Sequence, residues 1–422
     1  MKLKLTPQKL AGQITVPPSK SQAHRLLMAT VPLRGECVIN NISLSDDIKA
    51  TLNVLTALGK EVDICKDKNS LLIKNGIGTV KPLPVIDCKE SGSTLRFAIP
   101  MALAVNKGAI FTGEGRLGER PLTPYKDIFE KNGITWSTAE KGFPLTVAGN
   151  LNAGVYRLPG NLSSQFVTGL LMALPLIPGD SVIEIDGPLE SAPYVDITLD
   201  VLKKFGINII EKEAGQRYFI PGNSTYKQTE VTVEGDWSQA AFHIAAGILG
   251  NGVTILGLDQ NSCQGDKVIL DFVKRMGADI GFHDRTLYVN PSKLTGCDLN
   301  ITNCPDLAPV LCLLCALAKG SSRITGAGRL RIKESDRIES ITGVLRKLGA
   351  DAKTTDEGFE FNGVAGLHGS DVSSYGDHRI AMMAAIAVSA CCNSFMLEGG
   401  DAINKSYPEF WDDYKKLGGK AL

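Results

Sequence analysis

Several basic side chains stand where helix physics does not favour them. Lys20 and Arg25 in "PPSKSQAHRLL", Arg96 in "ESGSTLRFAI" and Arg379 in "YGDHRIAM" fall in or beside the first turns of apolar runs that read as helices. The amino end of a helix carries partial positive charge and favours anions, so cations belong at the other end. Exposed NH groups at a helix start are themselves an anion site, and a cation beside them is sensible when both act on one bound anion. Arg120 in "GERP", Lys333 and Arg337 in "RIKESDR" and Lys405 in "INKSYP" extend the set. Arginine offers a planar fork that matches carboxylate and phosphate. "NLSSQF" adds Ser163 and Ser164, whose hydroxyls and first-turn NH groups suit phosphate, although alone the segment is simply a good N-cap. Any one of these cations is an ordinary surface charge. Their recurrence in equivalent loops points to a small molecule bearing several negative charges.

Two carboxylates lie among the cations, Asp306 in "NCPDLAP" and Glu334 in "KESDR". Each reads equally as half of an ion pair. Together with Lys20 they also suit proton transfer around a hydroxyl nucleophile and an electrophile. Asp46 and Asp47 in "LSDDIKATL" read as capping residues of an amphipathic helix.

The loops are equivalent because the chain repeats. Segments opening at Gly35, Gly108, Gly179, Gly252, Gly320 and Asn393 recur about every 70 residues. Each contains a β-rich run, a loop, an amphipathic helix and a glycine, the helices ending in "ALGKEV", "KNGITW", "KFGINI", "RMGADI", "KLGADA" and "KLGGKA". The glycine suits the left-handed position that closes a helix. Before each opening a short strand leads through a polar cluster into a helix so apolar that it must be interior. The unit is therefore βαβαββ, and the fold class expected is α/β. The sixth copy ends at "KLGGKAL" without closing strands, while "KLKLTPQKLAGQITV" alternates like strands without a preceding helix. The N-terminal strands are accordingly expected to complete the sixth unit. This gives one domain of residues 1–17 plus 235–422 and an inserted domain of 18–234, with ligand expected between them.

Composition excludes several classes. The 422 residues carry 45 basic and 45 acidic side chains, so no global field attracts nucleic acid or an anionic membrane. No signal-peptide core and no run long enough to span a bilayer is present, and the chain reads as soluble and cytoplasmic. Ten cysteines without regular spacing are not a disulfide framework, and Cys312 and Cys315 in "VLCLLCALA" read as small buried residues. Five histidines without clustering argue against zinc. A Walker A loop is absent, and "GEGRLGER" lacks the strand-to-helix context of a dinucleotide fingerprint.

Nine segments in order, "PPSKSQAHR", "SGSTLR", "GERP", "LSSQFVTGLLMALPL", "ESAPYVDITL", "NCPD", "KESDR", "YGDHRIAM" and "INKSYPEF", resemble the 5-enolpyruvylshikimate-3-phosphate synthase family. The resemblance implies a two-domain inverted α/β barrel of six βαβαββ repeats, three per domain, with the active site in the interdomain cleft. It also implies transfer of the enolpyruvyl group of phosphoenolpyruvate to the 5-hydroxyl of shikimate 3-phosphate, without metal or organic cofactor, by a monomer. By motif, Lys20, Ser21, Arg25, Ser163, Ser164, Gln165, Ser191, Asp306 and Lys333 would bind shikimate 3-phosphate. Lys20, Gly92, Arg120, Gln165, Arg337, Arg379 and Lys405 would surround phosphoenolpyruvate. Asp306 would be the base on the attacking hydroxyl, and Glu334 with Lys20 would carry the proton to and from the methylene carbon.

Three positions depart from the family's pattern: Glu90 where Asn is usual, Ser93 where Thr is usual, and Arg329 where an amide is frequent. The sister transferase acting on UDP-N-acetylglucosamine usually has Asn after the equivalent of Lys20 and a catalytic Cys before "RP". Here Ser21 follows, and "GEGRLGERP" has no Cys. A non-catalytic anion-binding protein on the same repeats would not need Asp306 and Glu334 among the cations. An RNA 3′-phosphate cyclase would need a nucleophilic histidine, for which His378 is the one candidate.

Overall fold

The computed structural model describes residues 1–65, 69–77, 80–140 and 142–422. The chain divides into two compact units, Lys20–Val233 and Met1–Ser19 with Glu234–Leu422. Each has its own hydrophobic core.

The Lys20–Val233 unit holds helices α1 (Lys20–Thr30), α2 (Asp46–Ala57), α3 (Gly92–Asn106), α4 (Thr123–Lys131), α5 (Ser164–Ala173) and α6 (Ala192–Lys204). Its first sheet runs Glu230–Thr232, Cys37–Asn40, Ser70–Asn75, Lys60–Cys65 in spatial order. The second runs Val85–Asp87, Gly108–Thr112, Leu145–Ala148, Thr135–Thr138, and the third Val155–Pro159, Ser181–Asp186, Arg217–Ile220, Ile210–Glu213. In each sheet the first pair is parallel and the rest antiparallel. The parallel pair needs a crossover, which α3 and α5 supply in the second and third sheets. One face of each sheet meets the core: along Ser181–Asp186, Ser181, Ile183 and Ile185 are buried while the residues between them are not.

The other unit repeats the plan with α7 (Trp237–Leu249), α8 (Ile269–Arg275), α9 (Ala308–Leu317), α10 (Arg337–Lys347), α11 (His378–Ala387) and α12 (Phe410–Lys416). Its sheets run Gly12–Thr15, Val253–Leu256, Thr286–Val289, Ile280–His283, then Asp298–Asn300, Ser321–Thr325, Phe359–Asn362, Asp351–Thr354. The last runs Val372–Ser373, Phe395–Glu398, Lys2–Thr6, Lys420–Ala421.

The two N-terminal strands have different destinations. Lys2–Thr6 joins the sixth sheet, antiparallel to Phe395–Glu398, whereas Gly12–Thr15 lies parallel to Val253–Leu256 in the fourth. The sixth copy also keeps a closing strand of its own, Lys420–Ala421. Likewise Glu230–Thr232, late in the inserted segment, returns to pair with Cys37–Asn40 of the first repeat. Where the chain passes between units its two segments are tied together: Pro18 and Gly235 form a bridge, Ser19 NH donates to the Glu234 carbonyl at 2.7 Å, and Asp236 NH to the Pro17 carbonyl at 2.9 Å.

The six helix-closing glycines, Gly59, Gly133, Gly206, Gly277, Gly349 and Gly418, all have φ between 72° and 95°. A side chain there is strained, and the glycine lets the chain turn directly into the next strand. The apolar helices are interior: every residue of α11 is buried, as is every residue of α7 except Leu249. Cys312 and Cys315 are fully buried in α9, and burial pushes both thiols up, so they act as packing groups.

Candidate active site

In the Lys20–Val233 unit the candidate residues gather at the starts of α1, α3, α5 and α6. Lys20 opens α1, and its Nζ is 2.9 Å from Asp47 Oδ2. Asp47 is therefore an ion-pair partner and not the expected cap. The cap of α2 is Ser45, whose Oγ accepts from Ile48 NH at 3.4 Å, while Asp46 pairs with Lys49 at the surface. That leaves Asp47, only 6% exposed, turned toward Lys20.

Arg25, one turn later, is 2% exposed and knits four helices. Its Nε donates to Thr198 Oγ1 at 2.8 Å, Nη1 to the Ser21 carbonyl at 2.6 Å, and Nη2 to the Tyr194 carbonyl at 2.9 Å and Thr168 Oγ1 at 3.4 Å. The guanidinium also lies 5.1 Å from the Phe97 ring centroid. Structural bonding on this scale was not legible in "PPSKSQAHR".

Gly92 begins α3 behind the N-cap Ser91, whose Oγ accepts from Thr94 NH at 3.3 Å. A Cβ on Gly92 would stand 2.8 Å from Arg120 Nη1 and 3.2 Å from Arg96 Nη1. Two guanidiniums thus converge over a backbone that only glycine leaves open. Arg96 donates through Nη1 to Gln165 Oε1 at 2.7 Å and through Nη2 to the Pro121 carbonyl at 3.2 Å, and lies 5.0 Å from the Phe166 ring centroid. Gln165 Nε2 donates to Ser93 Oγ at 2.9 Å.

Ser163 caps α5, its Oγ accepting from Gln165 NH at 3.3 Å, and Ser164 is the buried first residue of that helix. Ser191 precedes α6 with φ 58° and makes no side-chain capping bond. A serine held in the left-handed region stores strain of order ~1 kcal/mol, which makes the position a functional candidate. Glu90 rests its carboxylate on Gly115, where a Cβ would collide with it, so the turn Gly115–Glu119 leading to Arg120 accommodates this departure.

In the other unit the candidates form a charge-balanced knot. Arg337, 1% exposed, donates through Nε to Asp377 Oδ2 at 2.7 Å, through Nη1 to Asp306 Oδ1 at 3.0 Å and through Nη2 to Glu334 Oε2 at 3.0 Å. Arg379 Nη2 donates to Asp306 Oδ2 at 2.8 Å, so the Asp306 carboxylate is bracketed by two guanidiniums. Asp377 caps α11, accepting from Arg379 NH at 3.0 Å, while also gripping Arg337. Burial alone would raise the Asp306 carboxyl, but Arg379, Lys333 and Arg337 outweigh it and hold it well below the usual carboxylate range. Lys333 is pulled down to about 8, by burial first and then by like charge from Arg337 and Arg329 against the opposing pull of Asp306 and Glu334.

Lys405 enters from another element, ending the turn Gly400–Lys405 that packs on α11, with its side chain 8% exposed. Arg329 donates to the Thr302 carbonyl at 3.0 Å. His378 is buried at 1% exposure, a poor setting for a nucleophile that must meet nucleic acid. Asp266, fully buried and accepting from Ser238 Oγ, is pushed up to about 7 by burial and by the Asp306 charge. Asp47, Asp377 and Asp266 are the acidic members missed in sequence. Among the described residues no group of His, Cys, Asp and Glu is placed to hold a metal ion, and no helix is long and apolar enough to cross a membrane.

Comparison with known proteins places the chain in a family. The family model described as EPSP synthase (3-phosphoshikimate 1-carboxyvinyltransferase) matches residues 5–414. A 3-phosphoshikimate 1-carboxyvinyltransferase of Clostridium kluyveri is 46% identical over 416 residues, 99% of this chain and 97% of the relative. One of Clostridium perfringens is 44% identical over 421 residues, 99% of this chain and 98% of the relative. In fold, the chain is similar to the EPSP synthase of Acinetobacter baumannii, with a TM-score of 0.82, 24% identity, and coverage of 100% of this chain and 99% of that one. The enolpyruvyl transferase NikO of Streptomyces tendae superposes with a TM-score of 0.79 at 17% identity, covering 100% and 98%. The α/β architecture of six repeated units is thus that of a known class of enzymes, and the chain belongs to the EPSP synthase (3-phosphoshikimate 1-carboxyvinyltransferase) family.

Proposed function

We propose that the chain transfers the enolpyruvyl group of phosphoenolpyruvate to the 5-hydroxyl of shikimate 3-phosphate, releasing phosphate, as a transferase of the shikimate pathway to chorismate and the aromatic amino acids. The observation that carries the chemical reading is the bracketing of Asp306 by Arg337 and Arg379. In the ligand-free protein the carboxylate is too well stabilised to be a strong base. A substrate carboxylate bound by the same guanidiniums competes for their charge and raises the basicity of Asp306. Binding one substrate thereby prepares the base for the other.

Asp306 then takes the proton of the 5-hydroxyl as its oxygen bonds to C2 of phosphoenolpyruvate, while Glu334, with Lys20, delivers a proton to the methylene carbon. Removal of a proton from the resulting methyl group and departure of phosphate complete the transfer. Lys333 and Asp306 hold shikimate hydroxyls, and Lys20, Ser21, Arg25, Ser163, Ser164, Gln165 and Ser191 serve the rest of shikimate 3-phosphate. Gly92, Arg120, Gln165, Arg337, Arg379 and Lys405, with Lys20, take phosphoenolpyruvate. Arg25 contributes chiefly by fixing the first turns of α1, α5 and α6, given its bonds to Ser21, Thr168, Tyr194 and Thr198. The reading includes a cytoplasmic monomer that needs neither metal nor organic cofactor and has no nucleic-acid partner, the last point being supported by the balance of 45 basic and 45 acidic residues.

The test is phosphate release from phosphoenolpyruvate with shikimate 3-phosphate or UDP-N-acetylglucosamine as acceptor. Release is expected with the first alone. Absence of release with shikimate 3-phosphate overturns the reading, and binding without turnover supports an anion-binding protein instead.

A further inference from the structure

The side chains over Gly92 form a hydrogen-bonded chain with a fixed direction. Arginine has donors and no acceptor, so the atom of Gln165 facing Arg96 Nη1 at 2.7 Å must be the amide oxygen. The amide NH2 is then committed to the other side, where it meets Ser93 Oγ at 2.9 Å. That hydroxyl must accept from Gln165, which turns its own proton away. Among the described residues, no protein acceptor for that proton is seen. Arg96 is 8% exposed and further locked by the Pro121 carbonyl and the Phe166 ring, so the source of the polarity does not rotate.

The chain lies where an anion belongs. Arg96 Nη1 and Arg120 Nη1 come within 3.2 Å and 2.8 Å of the position a Gly92 Cβ would take, and Gln165 Oε1 within 3.8 Å. Ser93 follows Gly92 in the first turn of α3 and is partly exposed. We infer that Ser93 donates its hydroxyl proton to an anionic oxygen of phosphoenolpyruvate beside Gly92, and that Arg96 is the positioning residue that imposes this direction through Gln165. Successive donors in such a chain polarise one another, so the buried guanidinium strengthens a neutral hydroxyl as a donor two side chains away. The inference rests on the transferase reading above for the identity of the anion.

Steady-state kinetics of Ser93→Ala test it. Losing a hydrogen bond to a charged oxygen should raise KM for phosphoenolpyruvate about tenfold, with kcat and KM for shikimate 3-phosphate within about twofold of the parent. Ser93→Thr, which keeps the hydroxyl, should stay within about twofold throughout. Direction is read with Gln165→Glu, whose two oxygens accept from Arg96 and from Ser93 alike and so draw the Ser93 proton inward. In that background Ser93→Ala should change KM for phosphoenolpyruvate, or its Kd by calorimetry where turnover is too slow, by less than about twofold. An unchanged KM in Ser93→Ala, or a full tenfold loss in both backgrounds, overturns the inference while leaving the transferase reading intact. Failure of the parent chain to release phosphate would instead remove the reading on which it rests.

Discussion

The two units carry their cations in different company. In the Lys20–Val233 unit, Arg25 and Arg96 are held by hydroxyl, amide and carbonyl oxygens, from Thr198, Tyr194, Gln165 and Pro121. In the other unit Arg337 and Arg379 are held by the carboxylates of Asp377, Asp306 and Glu334. Neutral acceptors fix a guanidinium without adding an opposing charge, whereas Lys20 in the same unit is paired with the Asp47 carboxylate. Carboxylates cancel the charge of a guanidinium, and on the proposed reading an arriving anion shifts the balance and with it the basicity of Asp306. On the proposed reading the Lys20–Val233 unit mainly holds phosphate and lends Lys20 to the proton transfer, while the other unit carries the carboxylates Asp306 and Glu334.

The largest expected effect breaks the responsive side. Asp306→Ala should lower kcat by about 10²–10⁴-fold, with shikimate 3-phosphate still binding in part by calorimetry. Unchanged turnover would remove Asp306 from the chemistry and make the two sides equivalent. An intermediate effect concerns Lys333. Its folded pKa near 8 lies below the ordinary lysine value of 10.5, so the cationic form is the disfavoured one in the fold. Stability should therefore rise with pH between about 8 and 10.5, where the unfolded chain binds more protons than the folded one. In the folded protein Lys333 loses its positive charge around pH 8, which on the proposed reading weakens its hold on the substrate hydroxyls. The pH profile of kcat/KM for shikimate 3-phosphate should fall on an alkaline limb near 8, and Lys333→Arg should move that limb up by a unit or more. A limb unmoved by Lys333→Arg would assign it to another group. The smallest effect sharpens the neutral side. Thr198→Val leaves the buried Arg25 Nε without its hydroxyl acceptor and should cost ~1–3 kcal/mol in urea unfolding. No measurable loss would mean that neutral oxygens do not fix this guanidinium.

Much of the scaffold was legible because repetition multiplies weak signals. One glycine after one helix says little, whereas Gly59, Gly133, Gly206, Gly277, Gly349 and Gly418 in equivalent places, all with positive φ, define a unit. The strand exchange was harder to see. Gly12–Thr15 and Glu230–Thr232 are short, and nothing local in them says which distant strand they pair with. Arg337 and Arg379 were recognisable by type, and Asp306 and Glu334 as candidate ion-pair partners, but Asp377 was not. Asp377 does cap α11, as its place before "HRIAM" suggests, and the same carboxylate also binds Arg337. Sequence position displays the first duty and hides the second, which depends on a residue 40 positions away. Asp47 misled in the opposite sense, since a neighbouring serine had taken the cap.

The bridge between Pro18 and Gly235 bears on how a discontinuous unit folds. Ser19 and Glu234 are already hydrogen-bonded neighbours at the point where the long insertion leaves and returns. The insertion closes a very long loop, but the entropy of closure grows only logarithmically with length. A folded insertion that delivers its own ends together shortens the effective loop further. If 20–233 folds first, it acts for the surrounding unit as a clasp, and Met1–Ser19 meets its partner strands at the cost of a short loop.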